Sequence, residues 1–349
     1  MTTMNGIAGT TEKVKKERWW TRLRGSSRRE EEQVMPPFRV LVQKEIADQV
    51  RSWQFIILIA IIALTTMGSL YTALSNIRDA IKPDDPTSSY IFLKLFTLSD
   101  GTMPSFLVFI SFLGPLLGIA LGFDAINSEQ NRGTLSRLLA QPIHRDYIIN
   151  AKFVASLTVI AVMFFSLGLL VTGIGILATG IAPTPEEFAR ILLFIFVSVL
   201  YVALWLNMSV WLSVKFRQPA ASALTGMAVW IFFSVFYPMI VNLIIKGMSP
   251  PSWTVNPAYE LFLNKLKLTL MRLAPNYLFS EATSTLLMPS VRSLGPLTME
   301  QLSGAIPGPL PLGQSLLLIW PHITAFIALT VIFFVLAYVP FMRREIRAR

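Results

Sequence analysis

Six uninterrupted apolar runs, each about 20 residues or longer, constrain this chain more than any other feature of its sequence. They lie near residues 53–74, 105–123, 153–180, 191–214, 219–245 and 316–341. A bilayer core of about 30 Å needs roughly 20 helical residues at about 1.5 Å each, so each run is long enough to cross. Runs this evenly apolar do not alternate as barrel strands do, and helices satisfy their own backbone groups in lipid. With 53% hydrophobic and 14% charged residues, a soluble domain of this length would lack the polar surface it needs. The expected fold class is an all-α membrane protein with six transmembrane helices.

Charge orients the bundle. If both termini share a side, residues 1–52, 124–152, 215–218 and 342–349 carry 21 Lys and Arg against 11 acids, while the opposite side carries 9 of each. The net charge of +10 then sits on one face, which the preference of Lys and Arg for the cytoplasm places inside. Both termini are therefore expected to be cytoplasmic. Residues 1–35 read as a disordered cytoplasmic tail, 36–52 as an amphipathic interfacial helix and 53–349 as the six-span domain. That domain includes a cytoplasmic loop at 124–152 and a helical external loop at 247–315. The polar N-terminus lacks an apolar core and cleavage site, so no removable signal peptide is expected.

Several chemistries are disfavoured. No Cys is present for disulfides or thiolate metal sites, and two His, His144 and His322, are too few for a histidine metal cluster in one subunit. No Asp, Glu, Lys or Arg lies inside a span, whereas ion-coupled carriers place such groups at depth; His322 is the sole titratable exception. No Gly-Lys pair exists to build a phosphate-cradling Walker loop, and the spans lack the paired carboxylates or His-assisted nucleophiles of a hydrolase. The basic residues form no folded nucleic-acid reader, so no nucleic-acid partner is expected. Any energy for uphill work must come from another subunit.

The loop at 124–152 is the natural place to receive it. Gly133-Thr134 opens a short helix with the Thr134 hydroxyl as cap, and Leu135, Leu138 and Leu139 fall on one face at i, i+3 and i+4. Pro142 stops that helix, Asp146 caps the next, and Lys152 snorkels where the third span enters the membrane. Such a helix can act as a lever for a partner's motion. An ordinary interfacial loop fits the same spacing.

The run from Phe123 to Phe153 contains Glu129, Gly133-Thr134-Leu135, Leu138-Leu139, Pro142-Ile143, Arg145 and Lys152. This pattern resembles the exporter-type (type-two superfamily) permease subunits of ABC transporters, including the branch related to copper-enzyme maturation permeases. One departure is Ala151, where Gly is expected before the lysine. The resemblance implies a homodimer docking two copies of a separate ATP-hydrolysing subunit through a coupling helix. ATP and Mg would be bound there, with no cofactor in this chain. Glu129 and Arg145 would contact that partner or brace the loop, Leu135, Leu138 and Leu139 would fill its groove, and Gly133 and Pro142 would set the helix ends.

Other segments are read more openly. Phe38, Leu41, Val42, Ile46, Val50 and Trp53 share one helical face, with Arg39, Lys44, Glu45, Asp48 and Arg51 elsewhere, as in a membrane-surface anchor or part of an ATPase cradle. The basic tail with Trp19-Trp20 suits anionic headgroups or plain solvation. Gly114, Gly118 and Gly122 bare one stripe of the second span for close packing, at a dimer seam or within the bundle, and Pro115 invites a kink. Asn207, Ser209, Ser234, Tyr237 and Asn242 are candidate pathway residues, although such groups also bridge helices. In the external loop, Tyr259, Phe262, Leu263, Leu266, Leu270 and Leu273 share a face, followed by a second helix near 276–288. Phe262, Leu266 and Leu270 are candidate external-gate residues, and a surface-lying structural helix is the plainer reading.

The resulting expectation is the permease subunit of an ATP-binding-cassette exporter, moving an unidentified substrate across a prokaryotic plasma membrane. The rival is a non-transporting scaffold or mechanotransmitter driven by the same kind of ATPase.

Overall fold

The computed structural model describes residues 36–80, 90–99, 103–141, 143–249, 257–290 and 309–343. The side chains of 77–80, 136 and 139 are not described, and the tail at 1–35, Pro142 and the Pro/Gly-rich link at 295–308 lie outside those residues. Residues 41–349 form one compact unit, and residues 1–40 are a separate one.

The described residues are helical, with no strand among them. Six helices are long and apolar enough to cross a membrane. In chain order the helices are α1 (Pro37–Val50), α2 (Trp53–Ala80), α3 (Ile91–Thr97), α4 (Phe106–Gly122), α5 (Asn127–Asn131), α6 (Thr134–Leu139), α7 (Arg145–Thr179) and α8 (Pro185–Lys215). After these come α9 (Pro219–Ile231), a π-helical turn at Phe232–Phe236, α10 (Tyr237–Met248), α11 (Pro257–Met271), α12 (Pro275–Leu287) and α13 (Leu312–Arg343). Spans one to four are α2, α4, α7 and α8, the fifth is α9 with the π turn and α10, and the sixth is α13.

The fourth span is the axis of the bundle. In its apolar window 78% of residues are buried inside the protein, against 11% in the fifth span and 17% in the sixth, which turn most of their surface outward. Tyr201, Val202, Trp205 and Leu206 of α8 are buried. A glycine stripe sets its approach to the second span. A Cβ on Gly118 would lie 2.8 Å from the Val202 carbonyl oxygen, and one on Gly122 would lie 2.8 Å from that of Leu206. Those glycines therefore belong to the α4–α8 contact within one chain, which takes the place of the dimer seam as their explanation. The Ser209 hydroxyl donates to the Ile119 carbonyl at 3.0 Å across the same contact.

Two termini explain themselves chemically. Thr184 and Glu187 form a reciprocal capping box at the start of α8, with Pro185 in its first turn. The π turn precedes Pro238, whose ring would crowd the Ser234 carbonyl in a continuous α-helix; widening the turn relieves that crowding.

Of the two helices in the region at 257–287, α12 is deeply integrated, whereas α11 keeps most of its residues exposed or half-buried. Phe279, Ala282 and Leu286 of α12 are 0% exposed. Phe279 stacks on Tyr201 with ring centroids 4.3 Å apart. Arg190 of α8, also 0% exposed, donates to Glu186, to the Leu286 and Leu310 carbonyls and to the Ser315 hydroxyl, joining α8, α12 and the start of α13. A buried cation is tolerated here because each of these acceptors is in place.

Candidate functional site

The loop at 124–152 folds as two short helices, α5 and α6, hung beneath the bundle. Gly133 separates them at φ +69°, a left-handed conformation that stops α5 and turns the chain into α6. The Thr134 hydroxyl donates back to the Glu129 carbonyl at 3.1 Å. It thus joins α6 to α5, where a cap on α6 was expected. His144, not Asp146, is the N-cap residue of α7, and Asp146 sits in the first helical turn, where a carboxylate still favours the helix dipole.

Polar groups fix the loop to the fourth span. The Ser213 hydroxyl accepts from the backbone N–H groups of Ile126 at 3.0 Å and Asn127 at 3.2 Å, while Asn131 donates to the Arg217 carbonyl at 2.9 Å. Arg145 lies over the Phe341 ring, with its guanidinium carbon 5.4 Å from the centroid, and so braces α7 against the last span.

At the centre lies Lys152. Instead of snorkelling, it is 6% exposed, and its Nζ donates to Glu129 Oε1 at 2.7 Å and Glu45 Oε2 at 2.9 Å. One ammonium therefore unites α1, α5 and α7. Lys44 adds a rim, 3.1 Å from Glu45, 3.3 Å from Asp48 and 3.9 Å from Glu129. Burial opposes the charge on Glu45, but attraction and hydrogen bonding from Lys152, then Lys44, prevail and hold its carboxyl below the usual carboxylate range. Gln49 donates to the Ser156 hydroxyl at 2.5 Å, a second tie between α1 and α7. A cleft of 520 Å³ opens beside this cluster, with Asp48, Trp53, Asp124 and Arg132 among its walls.

Glu45 was expected on the polar side of α1. It is 8% exposed and turned toward Lys152, and of the expected apolar face Val50 and Trp53 stay at the protein surface, as a face lying on lipid would. A buried lysine demands a counter-ion, which draws Glu45 inward alongside the half-buried Leu41, Val42 and Ile46 of the apolar face. Glu45, Asn127 and Ser213 escaped sequence reading. The available signal for Glu45 was its place among Leu41, Val42, Ile46 and Gln49 on one helical side.

Leu135 is 3% exposed and packs into the protein's own core, and Leu138 is half-buried against it. Leu135 therefore cannot fill a partner's groove in this conformation. Facing outward are Asn131, Arg132, Gly133, Arg137 and Ala140. Among the described residues of the loop, the charged side chains that face outward, Arg132 and Arg137, are basic. The side chain of Leu139 and all of Pro142 lie outside the described residues.

Among the pathway candidates, Ser209 bridges α8 to α4, and Asn207 donates to the Thr330 carbonyl of α13 at 3.3 Å. Both are helix bridges. The Tyr237 hydroxyl donates to the Leu270 carbonyl at 2.6 Å and tethers α11 to the fifth span. Ser234, in the π turn, lines a second cleft of 370 Å³ with Ser111, Asn276, Tyr277 and Ser280. Asn242 faces outward from α10. Of the gate candidates, Phe262 is 52% exposed, and Leu266 and Leu270 are half-buried.

Residues 39–346 match the model of the ABC-2 family transporter proteins, nearly the whole chain. This chain belongs to the ABC-2 transporter family. It is a multi-pass membrane protein of the ABC permease type. Two relatives agree over narrower regions. The "Probable ABC transporter permease protein NosY" of Pseudomonas aeruginosa is 26% identical over 217 residues, which cover 60% of this chain and 72% of that protein. A protein of the same name from Stutzerimonas stutzeri is 28% identical over 149 residues, 42% of this chain and 53% of that protein.

Proposed function

We propose that this ABC-2 permease couples a separate ATP-hydrolysing subunit, docked on the loop at 124–152, to outward movement of a substrate across a prokaryotic plasma membrane. The observation that carries this reading is the buried Lys152 ammonium, which ties that loop to both α1 and the third span. Force applied to α5 and α6 is then passed to the bundle through that contact, because separating the buried charges would leave them uncompensated. The partner contact is made by the exposed basic face, with Arg132 and Arg137, while Leu135 holds the lever to its own bundle. The active assembly is a homodimer with two ATPase copies, which bind ATP and Mg, and both termini of each chain are cytoplasmic. The 370 Å³ cleft at Ser234 belongs to the substrate path, and Phe262, Leu266 and Leu270 of α11 form part of an external gate.

Co-purification in mild detergent tests the docking. The native chain is expected to recover an ATPase, and an Arg132→Glu, Arg137→Glu variant that elutes as the native protein does is expected to lose it. Recovery of the same ATPase by that variant, or of none by the native chain, overturns the assignment. ATP hydrolysis stimulated by a substrate supports transport; stimulation only by another protein turns the reading toward a mechanotransmitting scaffold.

A further inference from the structure

The 370 Å³ cleft at Ser234 is walled by α4, the π turn, the start of α10, the end of α11 and the first turns of α12. Among the described residues, no Asp, Glu, Lys, Arg or His lines it. Glu281, next in sequence to the lining residue Ser280, is engaged elsewhere. Arg272 donates to it through Nε at 2.9 Å and Nη2 at 2.7 Å, and His322 Nε2 lies 2.8 Å from it. A charged ligand group would therefore leave water for walls that offer no counter-charge, which is costly.

The polar groups on these walls are uncommitted. Elsewhere in the bundle, hydroxyls on helices bond back to the preceding turn, as do Thr172 to the Gly168 carbonyl, Ser198 to that of Phe194 and Thr225 to that of Ala221, each at 2.8 Å. The hydroxyls of Ser234 and Ser280 make no such bond among the described residues, and Asn276 Oδ1 is buried without a partner. Ser234 also sits within the π turn, a helix distortion that recurs at functional sites. Three groups able to hydrogen-bond a ligand thus face one space.

The rest of the cleft is apolar. Phe112 stands edge-on to Trp230 with ring centroids 4.7 Å apart, and Tyr277 adds a second aromatic wall. Val108 and Phe112 are exposed, as is Val235 beside Ser234, so the mouth opens sideways through an apolar rim. A volume of 370 Å³ lies at the small end of ligand sites and suits a head group better than a whole two-chain lipid.

We propose that this cleft binds the uncharged, hydroxyl- or amide-bearing head group of a single-chain amphiphile, whose hydrocarbon chain runs out over Val108 and Phe112. Asn276 Oδ1 accepts from the head group, while Ser234 and Ser280 donate to it or accept from it. Each bond satisfies a wall group that the fold leaves open, and the neutral head group enters without the cost of stripping a charge of water. The inference rests on reading the cleft as part of the substrate path and names the substrate class.

The absence of cysteine from the chain makes the test direct. Val108→Cys sets a thiol on the exposed wall of the cleft, and Leu177→Cys, at a position 85% exposed on α7, is the reference. Each single-cysteine protein is held in phosphatidylcholine nanodiscs and labelled with N-ethylmaleimide. Monododecanoyl glycerol, dodecyl phosphate and dodecyl trimethylammonium are added in turn, and the Val108-to-Leu177 rate ratio removes their effects on the bilayer itself. Monododecanoyl glycerol is expected to halve the ratio at a mole fraction about tenfold below that of either charged homologue. Asn276→Leu is expected to raise that mole fraction about fivefold. Ser280→Asp, at an exposed position, is expected to strengthen protection by the trimethylammonium compound about threefold and to leave the phosphate ineffective. A charged homologue that protects the native chain at an equal or lower mole fraction overturns the ligand class and leaves the cleft in the substrate path. Protection by none of the three, or the same protection in the native chain and in Ser280→Asp, takes the cleft itself out of the path and the inference with it. A Val108 thiol that does not react before any amphiphile is added marks the mouth as covered by another chain and likewise overturns the inference. Because Ser280 is exposed, its variant decides the matter even if Asn276→Leu proves too unstable to purify.

Discussion

Lys152 shows how one residue can carry more than its sequence context suggests. A lysine at the edge of an apolar run reads as a snorkelling anchor, but its neighbours in space are Glu45 and Glu129. Lys152→Met should destabilise the protein by about 3 kcal/mol, read from thermal unfolding in detergent, because buried Glu45 and half-buried Glu129 then keep only the exposed Lys44 as a cation. The exchange Glu45→Lys with Lys152→Glu should recover part of that loss; no coupling in the double-mutant cycle would show that the contact contributes nothing. Acid should act on the same contact. The Glu45 carboxyl is held below its ordinary range, so its contribution is complete above that range and is lost as pH falls through the lowered value. Unfolding midpoints should therefore fall on acidification below about pH 4.5, and the fall should be smaller in Glu45→Gln.

At the scale of elements, close approach and turn geometry make the sharpest demands. Gly118→Ala places a methyl group 2.8 Å from the Val202 carbonyl oxygen, so α4 and α8 must separate. A cost of about 1–3 kcal/mol is expected, with a lower unfolding midpoint as the readout. A Cβ at Gly133 would meet nothing within 4 Å, and its constraint is the positive φ alone. Gly133→Ala should cost about 1 kcal/mol and loosen the α5–α6 turn, seen as faster amide exchange in 127–139. These two glycines look alike in sequence. Periodicity every four residues revealed the first, and position ahead of a short helix revealed the second; what each touches was not legible in either pattern.

At the scale of the whole molecule, α8 organises the bundle while the fifth and sixth spans turn outward. Both outward spans are available to lipid or to a second chain, and the proposed homodimer is checked by the mass of the detergent-corrected particle. Two chains are expected, and a single chain would remove the dimer from the mechanism. Leu266→Asp with Leu270→Asp tests the proposed gate at the same scale: transport by the folded variant should fall, and unchanged transport would leave α11 a structural helix.

What the sequence determined by itself follows from solvent and periodicity. Apolar length selects six spans, Gly and Pro punctuate the ends of the short helices, and the run from Glu129 to Lys152 carries the family resemblance. These signals are local, because lipid acts on every window of the chain alike. Only the tertiary structure decided which polar groups meet. Lys152 and Glu45 are 107 residues apart in sequence, and Glu281 and His322 are 41 apart. Pairing at such separations depends on how the helices are rotated and stacked, which packing around α8 sets and no local pattern encodes. The same packing turned Leu135 inward and left Arg132 and Arg137 of its loop outside.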